Sequence, residues 1–254
     1  MKSNNNFKYT PELYDLQVNW SARLSKEKGF FIKLVKNRNI KSVLDVGCGT
    51  GHHAQLLSEF VKDVVAVDPS EEMIEYARKN VISSDNVKLF IGNFENIESL
   101  TIKKFDLIIC LGNTLALLGN RRNVKNALKN TKRMLMKRGL AVFQFLNFEP
   151  EMIEYNRFYT PKIFKKDDEK YIFMKHFEYG KIKTRVDFLI MQLDQNDSLK
   201  NFFNNSSFFC TLRKNIFLKM ACNAGFKNIE LLGPDGKEEF NKNKHISLYA
   251  LLFS

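Results

Sequence analysis

Hydrophobic and polar positions follow different periods in different parts of the chain. Apolar side chains at helical spacing over residues 11–37 predict an arm of two helices with a break near Gly29. From residue 43 to residue 146, short apolar runs alternate with segments of helical period, which is typical of parallel strands joined by helices. The predicted strands begin at residues 43, 64, 87, 105 and 140, and the helix before the fifth strand covers residues 120–137 and ends at Gly139.

The period changes at about Asn147. Residues 171–179, 181–193 and 199–209 have the pattern of three strands without helices between them, which predicts antiparallel pairing. A helix over residues 211–224, ended by Gly225, and strands over 228–232 and 245–253 complete the pattern. We therefore expect an α/β protein with a Rossmann-like, doubly wound seven-stranded sheet and a small antiparallel β insert near the C-terminus. The expected organisation is a helical arm (1–40), a core (41–147 and 211–254) and the insert (148–210).

The turn after the first predicted strand is rich in glycine. Gly47, Gly49 and Gly51 follow this strand, and helical spacing resumes at residue 54. Glycines let the chain turn sharply and let its backbone lie against a ligand, and the free N–H groups of the next helix attract negative charge. The dinucleotide-binding pattern requires a glycine at its sixth position, where this chain has His52. The loop therefore predicts a nucleoside ligand other than a dinucleotide.

Two acids indicate which ligand this is. Asp45 lies two residues before Gly47, where it would repel a pyrophosphate but would suit an ammonium or sulfonium group. Asp68 ends the second predicted strand, 21 residues after Gly47, a spacing that suits an acid bound to ribose hydroxyls. S-adenosylmethionine carries a carboxylate for the helix end, a cation for Asp45 and a ribose for Asp68. We therefore expect it to be the cofactor.

The carboxyl ends of parallel strands meet at one edge of a sheet, so the residues that follow them should surround the ligand. An aromatic ring after the third strand could stack on adenine, and the exit of the fourth strand should face the methionine part and the substrate. The residues predicted to line this edge are Gly92, Asn93 and Phe94 after the third strand and Leu111, Gly112 and Asn113 after the fourth.

Composition and charge limit the kinds of partner that the protein is expected to bind. The net charge of +12 could indicate a nucleic-acid partner, but 30 of the 40 basic residues are lysine and they are spread along the chain, so background composition is the favoured interpretation. No run of 18 apolar residues exists, and residues 1–6 lack the apolar core of a signal peptide. The four cysteines lack zinc-site spacing, so no metal is expected. These features predict a cytoplasmic protein with reduced thiols, a monomer or homodimer without a membrane partner.

The glycine loop with Asp68 resembles the class I S-adenosylmethionine-dependent methyltransferases. Residues 105–113 are similar to the matching stretch of the glycine and sarcosine N-methyltransferases, and Arg23 matches an arginine that binds the cofactor's carboxylate in that family. Residues 206–236 resemble the aminosugar N,N-dimethyltransferases, and in both groups an antiparallel insert covers the substrate. The cofactor contacts that we expect are Tyr14, Trp20, Arg23, Gly47, Cys48, Gly49, Asp68, Pro69, Met73, Gly92, Asn93, Phe94, Leu111 and Gly112.

The expected reaction is an in-line methyl transfer to an amine nitrogen of a small molecule. The glycine enzymes have an arginine after the fifth strand that holds the substrate carboxylate, and Leu146 occupies the matching position here, which argues against glycine. Histidine titrates near neutrality, so His176 could accept the proton that an ammonium substrate must lose. Asn113, named with His176 as a catalytic candidate, could orient the acceptor. Expected substrate contacts are Tyr14, Asn113, Asn147 and Tyr179.

Several alternative functions remain open from the sequence. The charge allows an RNA methyltransferase, although the fourth strand exits in Leu-Gly-Asn rather than in the Pro-Pro-aromatic run of adenine N6 enzymes. A small-molecule O-methyltransferase would use the same cofactor loop. A regulator that binds the cofactor without catalysis is a further possibility, and an oxidoreductase fits least well.

Overall fold

The computed structural model describes residues 7–100, 103–153 and 157–254. Two helices, α1 (Pro11–Val18) and α2 (Trp20–Arg38), form the N-terminal arm. The break between them lies at Asn19, which has a positive φ of 52° and whose side chain caps α2 by accepting a hydrogen bond from the Ala22 N–H. The expected break at Gly29 is wrong, because burial of Phe30 and Phe31 in the core keeps α2 continuous through this glycine.

Strands and helices then alternate as the sequence predicted. The elements are β1 (Ser42–Val46), α3 (His52–Ser58), β2 (Asp63–Asp68), α4 (Glu71–Tyr76), β3 (Val87–Ile91), α5 (Ile97–Leu100), β4 (Phe105–Cys110), α6 (Thr114–Leu117), α7 (Arg121–Met134) and β5 (Leu135–Leu146). A wider π-helical turn over Ala77–Val81 extends α4. The boundary between α7 and β5 was predicted too late in the chain. The chain becomes extended at Leu135, and the positive φ of Arg138 marks an irregularity before the regular pairing with β4 resumes at Leu140.

The second half of the chain contains one strand more than expected. After α8 (Pro150–Ile153) come β6 (Phe158–Lys166), β7 (Glu169–Glu178), β8 (Lys183–Leu193) and β9 (Leu199–Cys210), followed by α9 (Lys214–Asn223), β10 (Asn228–Leu232) and β11 (Ser247–Phe253). Strand β6 was missed because it contains Pro161 and is interrupted by a register shift against β7 between Tyr159 and Lys162. An edge strand tolerates both features.

The strands form two sheets. The larger has seven strands in the order β10-β11-β5-β4-β1-β2-β3, of which β11 is antiparallel to both of its neighbours. The smaller is antiparallel, in the order β6-β7-β8-β9. The predicted doubly wound α/β fold with a seven-stranded sheet and an antiparallel insert is therefore confirmed. The change of winding direction between β1 and β4 is where such sheets bind ligands.

Apolar residues cover both faces of the large sheet. One cluster packs α7 and α9 against one face through residues such as Leu128 and Phe217, and the other packs α2 and α3 against the opposite face through Phe31 and Leu57. In the described ranges, none of the helices combines the length and the apolar character that a membrane crossing requires. The segment 1–6, which was expected not to be a signal peptide, lies outside the described residues.

Candidate functional site

The glycine loop lies at the edge where β1 and β2 end. The amides of Gly47 and Cys48 both donate to the Val67 carbonyl, at 2.8 and 3.0 Å, which fixes the loop to the end of β2. Gly47, Gly49 and Gly51 all have positive φ, with values of 76°, 55° and 86°. A Cβ atom at Gly47 would lie 2.3 Å from Cγ2 of Thr114. The loop therefore requires glycine both for its backbone conformation and, at Gly47, for its close packing.

The Asp68 carboxylate is held at the same edge by two backbone amides. Its Oδ2 accepts from the Gly49 N–H and its Oδ1 from the Ser70 N–H, both at 2.9 Å. Burial raises the pKa of Asp68, whereas these two hydrogen bonds oppose the rise. The carboxylate oxygens have further lone pairs, so this fixed and half-buried group suits a pair of ligand hydroxyls.

Asp45 is buried under the loop. Its side chain is 2 % exposed, and its Oδ2 has no hydrogen-bond partner among the described residues. Burial, together with the nearby Asp68 carboxylate, raises the pKa of Asp45 to about 8. An unpartnered buried carboxyl is costly unless a ligand satisfies it, and a cationic ligand group beside it would favour its ionised form.

Arg23 connects the arm to the ends of β4 and β5. Its Nε lies 3.2 Å from Glu27 Oε1, its Nη2 donates to Gln144 Oε1 at 3.4 Å, and its guanidinium lies 5.1 Å from the centre of the Trp20 ring. The same Gln144 oxygen accepts from the Gly112 N–H at 2.8 Å. A positive charge is thereby held beside the exit of β4, where it can face a ligand carboxylate.

Glu27 anchors this arginine from within the core. It is 7 % exposed and also bonds His53 Nε2, at 2.6 Å, and the Tyr249 hydroxyl, at 2.7 Å. These cationic and hydrogen-bonding partners outweigh burial and lower the pKa of Glu27 to about 2. Burial lowers the pKa of His53, whereas the hydrogen bond to Glu27 opposes this fall.

Residues of both arm helices pack over the glycine loop. Trp20 stacks on the His52 ring with 4.4 Å between the ring centres and donates its indole N–H to Asp15 at 2.7 Å. Asp15 also accepts from the Thr50 hydroxyl at 2.6 Å. The Tyr14 ring lies 3.6 Å from the position that a Cβ of Gly49 would occupy. The arm therefore forms one wall of the ligand site.

A cavity of about 580 Å³ opens beside this edge, between the large sheet, the arm and the insert. Arg23, Gly112 and Asn113 form its floor together with Gln144. Its walls are largely aromatic, and six of the rings are Tyr9, Phe173, Phe177, Phe188, Phe203 and Phe209. A volume of this size is typical of small-molecule sites.

The structure brings four of the predicted site residues to this cavity, namely Tyr14, Arg23, Gly112 and Asn113. Asn113 has a positive φ of 73°, and its Oδ1 accepts from the Leu146 N–H at 3.1 Å. Its Nδ2 is buried and has no hydrogen-bond partner in the described part of the chain. The cavity lining therefore contains one hydrogen-bond donor that the described residues leave unsatisfied.

The structure does not bring His176 to the cavity. Successive residues of a strand face opposite sides of the sheet, and its neighbours Lys175 and Phe177 are the ones that line the cavity. The His176 ring is 35 % exposed, lies 3.1 Å from Asp187 Oδ2 and packs on Phe158. This placement gives no support to a proton-accepting role.

Asn147 and Tyr179 also lie apart from the cavity lining. The Asn147 amide donates to the carbonyls of Lys242 and His245, both at 2.8 Å, and accepts from the Glu149 N–H. These hydrogen bonds tie the end of β5 to the segment that precedes β11. Tyr179 packs on Phe177 with 5.7 Å between the ring centres. Neither residue is positioned as the sequence suggested.

The remaining predicted cofactor contacts are distributed around the loop. Gly92 donates its N–H to the Asp68 carbonyl at 3.0 Å, Met73 donates its N–H to the Ser70 hydroxyl that caps α4, and Pro69 is exposed. The Asn93 side chain accepts a hydrogen bond from the Glu95 N–H within the same loop. Three others are packed in the protein core, namely Cys48, Phe94 and Leu111. Phe94 is 4 % exposed, so stacking on adenine would require its release from the core.

Sequence reasoning missed several residues that shape the site. Gln144 holds both Arg23 and Gly112, but a contact across 121 residues leaves no local pattern. Glu27 could have been found, since it lies four residues after Arg23 on the same helix. Lys175 could have been found, since it is the only charged residue in the alternating series Tyr171, Phe173, Lys175, Phe177 that faces inward on β7.

Comparison with known proteins independently supports the similarity to methyltransferases that the glycine loop indicated. Residues 43–139 match a family described as the methyltransferase domain. The chain is 32 % identical over 139 residues to the glycine/sarcosine N-methyltransferase of Aphanothece halophytica, covering 54 % of this chain and 52 % of that protein. It is 24 % identical over 221 residues to the enzyme of the same name from Halorhodospira halochloris, covering 87 % of this chain and 78 % of that protein. The chain thus spans about half the length of the first of these relatives.

Solved structures share the fold over nearly the whole chain. Streptomyces venezuelae DesVI superposes with a TM-score of 0.77 at 18 % identity, covering 96 % of this chain and 99 % of that one. CalS10 of Micromonospora echinaspora, described as an amino pentose methyltransferase with S-adenosylmethionine bound, superposes with a TM-score of 0.77 at 16 % identity, covering 98 % and 99 %.

Residues 43–139 thus match the methyltransferase domain family, and the chain has the seven-stranded fold of the solved methyltransferase structures. Of the four proteins just described, two are glycine/sarcosine N-methyltransferases and one is an amino pentose methyltransferase.

Proposed function

We propose that this chain transfers a methyl group from S-adenosylmethionine to an amine nitrogen of a small molecule. The observation that carries the proposal is the aromatic-walled cavity that meets the glycine-loop edge at Arg23, Gly112 and Asn113. The names of the relatives support an amine acceptor, since they describe N-methylation of glycine and sarcosine. The resemblance to sugar N-methyltransferase structures supports the fold on which such a cavity is built.

The polar groups of the site fit the donor. The fixed Asp68 carboxylate suits the two ribose hydroxyls, the Arg23 guanidinium suits the carboxylate, and the unpartnered Asp45 oxygen suits the ammonium group. When bound, S-adenosylmethionine supplies a methyl group on a positively charged sulfur. The contribution of these residues is to hold the ligand in one orientation at the floor of the cavity, which is the main requirement of a displacement reaction.

The acceptor side of the cavity provides orientation and a dry environment. The free Nδ2 of Asn113 can donate to a polar group of the acceptor. The aromatic faces exclude water and attract the positive charge that an amine gains as it is methylated. An ammonium also holds its proton less tightly in an apolar cavity than in water. We therefore propose that the cavity promotes the reaction by positioning and desolvation.

The shape of the cavity argues for an acceptor larger than glycine. Leu146, which lines the cavity, replaces the arginine that the glycine enzymes use for the substrate carboxylate. The cavity of about 580 Å³ receives the methionine end of the donor at Arg23 and Gly112, and the part that the aromatic rings of the insert enclose is open to the acceptor. We propose an acceptor of roughly the size of an amino sugar or an aromatic amine.

Methyl transfer from radiolabelled donor to a panel of primary and secondary amines tests this function. We expect N-methylated products from the wild-type protein and from Asp85→Ala, a control at an exposed acid. Product formation should be lost in Asp68→Ala. Methylation of hydroxyl compounds with no amine turned over would contradict N-methylation and indicate an O-methyltransferase.

The proposal extends to a cytoplasmic enzyme that works as a monomer or homodimer without a nucleic-acid partner. Light scattering after size-exclusion chromatography measures the oligomeric state. Binding of RNA that weakens steeply with added salt would contradict the last part of the proposal and favour an RNA substrate.

A further inference from the structure

The charged side chains that line the acceptor cavity are all cationic. They are Arg23, Lys162 and Lys175, and no carboxylate lies among the lining residues in the described part of the chain. Arg23 is already paired with Glu27. The two lysines have no carboxylate partner among the described residues, so the insert presents two uncompensated positive charges to the cavity.

Lys175 is the more enclosed of the two. It is half-buried on β7, and its Nζ lies 5.3 Å from the centre of the Phe188 ring. Burial, together with the neighbouring Lys162, lowers the pKa of Lys175 to about 8. Lys162 lies on the adjacent strand β6, is exposed, and directs its Nζ to the Gln17 carbonyl at 3.5 Å.

This arrangement is unfavourable for the protein alone. Two ammonium groups repel each other, and a half-buried ammonium loses part of its hydration. Contact with an aromatic ring recovers only part of that loss. An anion in the cavity would satisfy both lysines, and Lys175 would then remain protonated at neutral pH and above.

We infer that the methyl acceptor is an amine that also carries an anionic group, a carboxylate or a phosphate, and that Lys175 and Lys162 bind this group while the aromatic walls hold the body of the molecule. This inference rests on the proposed function, because it names the class of acceptor for the same cavity. It assigns to the insert the charge recognition that Leu146 cannot provide.

Direct binding tests the anion site without requiring turnover. The probes are 1-naphthyl phosphate and 1-naphthylacetate, which place a phosphate or a carboxylate on an aromatic body, and 1-naphthol is the uncharged comparison. We expect calorimetry to detect the anions on the wild-type protein and on Lys165→Met, a control at an exposed lysine of β6 outside the cavity lining. Lys175→Met should weaken the preferred anion about tenfold or more, and Lys162→Met should weaken it less.

The same experiment distinguishes the two anions and can overturn the inference. Tighter binding of naphthyl phosphate than of naphthylacetate identifies a phosphate acceptor, and the reverse order identifies a carboxylate. Equal binding of naphthol and both anions, or no loss in Lys175→Met when circular dichroism shows it folded, would overturn the site. An unfolded Lys175→Met would be replaced by Lys175→Gln and judged by the same criterion.

Turnover of matched amines supplies a second test. The pairs are glucosamine with its 6-phosphate and tryptamine with tryptophan, which differ only by the anionic group. We expect a higher kcat/KM for the anionic member of one pair. Lys175→Met should abolish this preference, mainly by raising the KM of the anionic member. Equal turnover of both members would refute the inference and leave N-methylation intact, whereas failure of every amine would refute the proposed function and leave the binding test to decide the anion site.

Discussion

The buried carboxylate of Glu27 offers the sharpest test of how the site is held together. It joins α2 to α3 through His53, to β11 through Tyr249 and to the ligand edge through Arg23. Replacing it with glutamine keeps the size of the side chain but removes its charge. We expect Glu27→Gln to lower the free energy of unfolding at pH 7.

The size of the effect follows from the pKa of Glu27. The fall from 4.5 to about 2 corresponds to a stabilisation of about 3 kcal/mol by the ionised form. This matches the range of about 3–5 kcal/mol measured when one member of a buried ion pair is removed. In a domain of this size, 3 kcal/mol lowers the melting temperature by roughly 6–12 °C.

The pH dependence provides the signature of an ionised group. Because the pKa is lower in the folded state, the contribution of Glu27 is complete above about pH 4.5 and is lost as the pH falls toward 2. The free energies of unfolding of the wild-type protein and of Glu27→Gln, measured with urea, should therefore become equal as the pH is lowered through this range.

A control on the same two helices isolates the effect of burial. Glu59 pairs with Lys28 at 3.1 Å, but both side chains are nearly half exposed. Glu59→Gln should change the free energy of unfolding by less than about 1 kcal/mol. Equal stability of Glu27→Gln and wild type at pH 7, or a difference that does not shrink in acid, would refute the reasoning.

Four further predictions concern the glycine loop, α2, the insert and Asp45. Gly47→Ala should lower the free energy of unfolding, measured with urea, by about 1–3 kcal/mol, because Gly47 has a positive φ and the added Cβ would clash with Thr114. Gly29→Ala should raise the free energy of unfolding by about 0.5–1 kcal/mol, because the added methyl group lies in open space within α2. His176→Ala should keep the rate of methyl transfer within about twofold, and a tenfold loss would return the proton-accepting role to this residue. The affinity for the donor should rise with pH up to about 8 as Asp45 ionises beside the cationic ligand, and Asp45→Asn should abolish this rise.

Local rules were sufficient for the parts of the fold where the chain has a strong period and a clear end signal. Strand β3 begins at residue 87 and strand β10 covers residues 228–232, both as predicted. The predicted helix break at Gly29 was wrong because a glycine inside a helix costs only about 1 kcal/mol. The burial of the two adjacent phenylalanines stabilises the helix by more than that.

The candidate site was predictable where one strand end determines it and not where distant segments meet. Asp68 and the glycines follow from the spacing along two adjacent strands. The role of Asn147 could not be anticipated, because its amide is satisfied by carbonyls about 100 residues away in the chain. Lys175 could have been predicted from the sequence, because it lies in the same alternating series as the inward-facing Phe173 and Phe177, whereas His176 lies on the opposite face of β7.

Calorimetric titration with S-adenosylhomocysteine, the demethylated donor, tests the central claim most directly. The account predicts binding of one ligand per chain to the wild-type protein and to the control Asp85→Ala, and affinity at least about tenfold lower in Asp68→Ala because its carboxylate would hold the ribose hydroxyls. The absence of binding heat across several temperatures, with the protein folded by circular dichroism, would contradict the account.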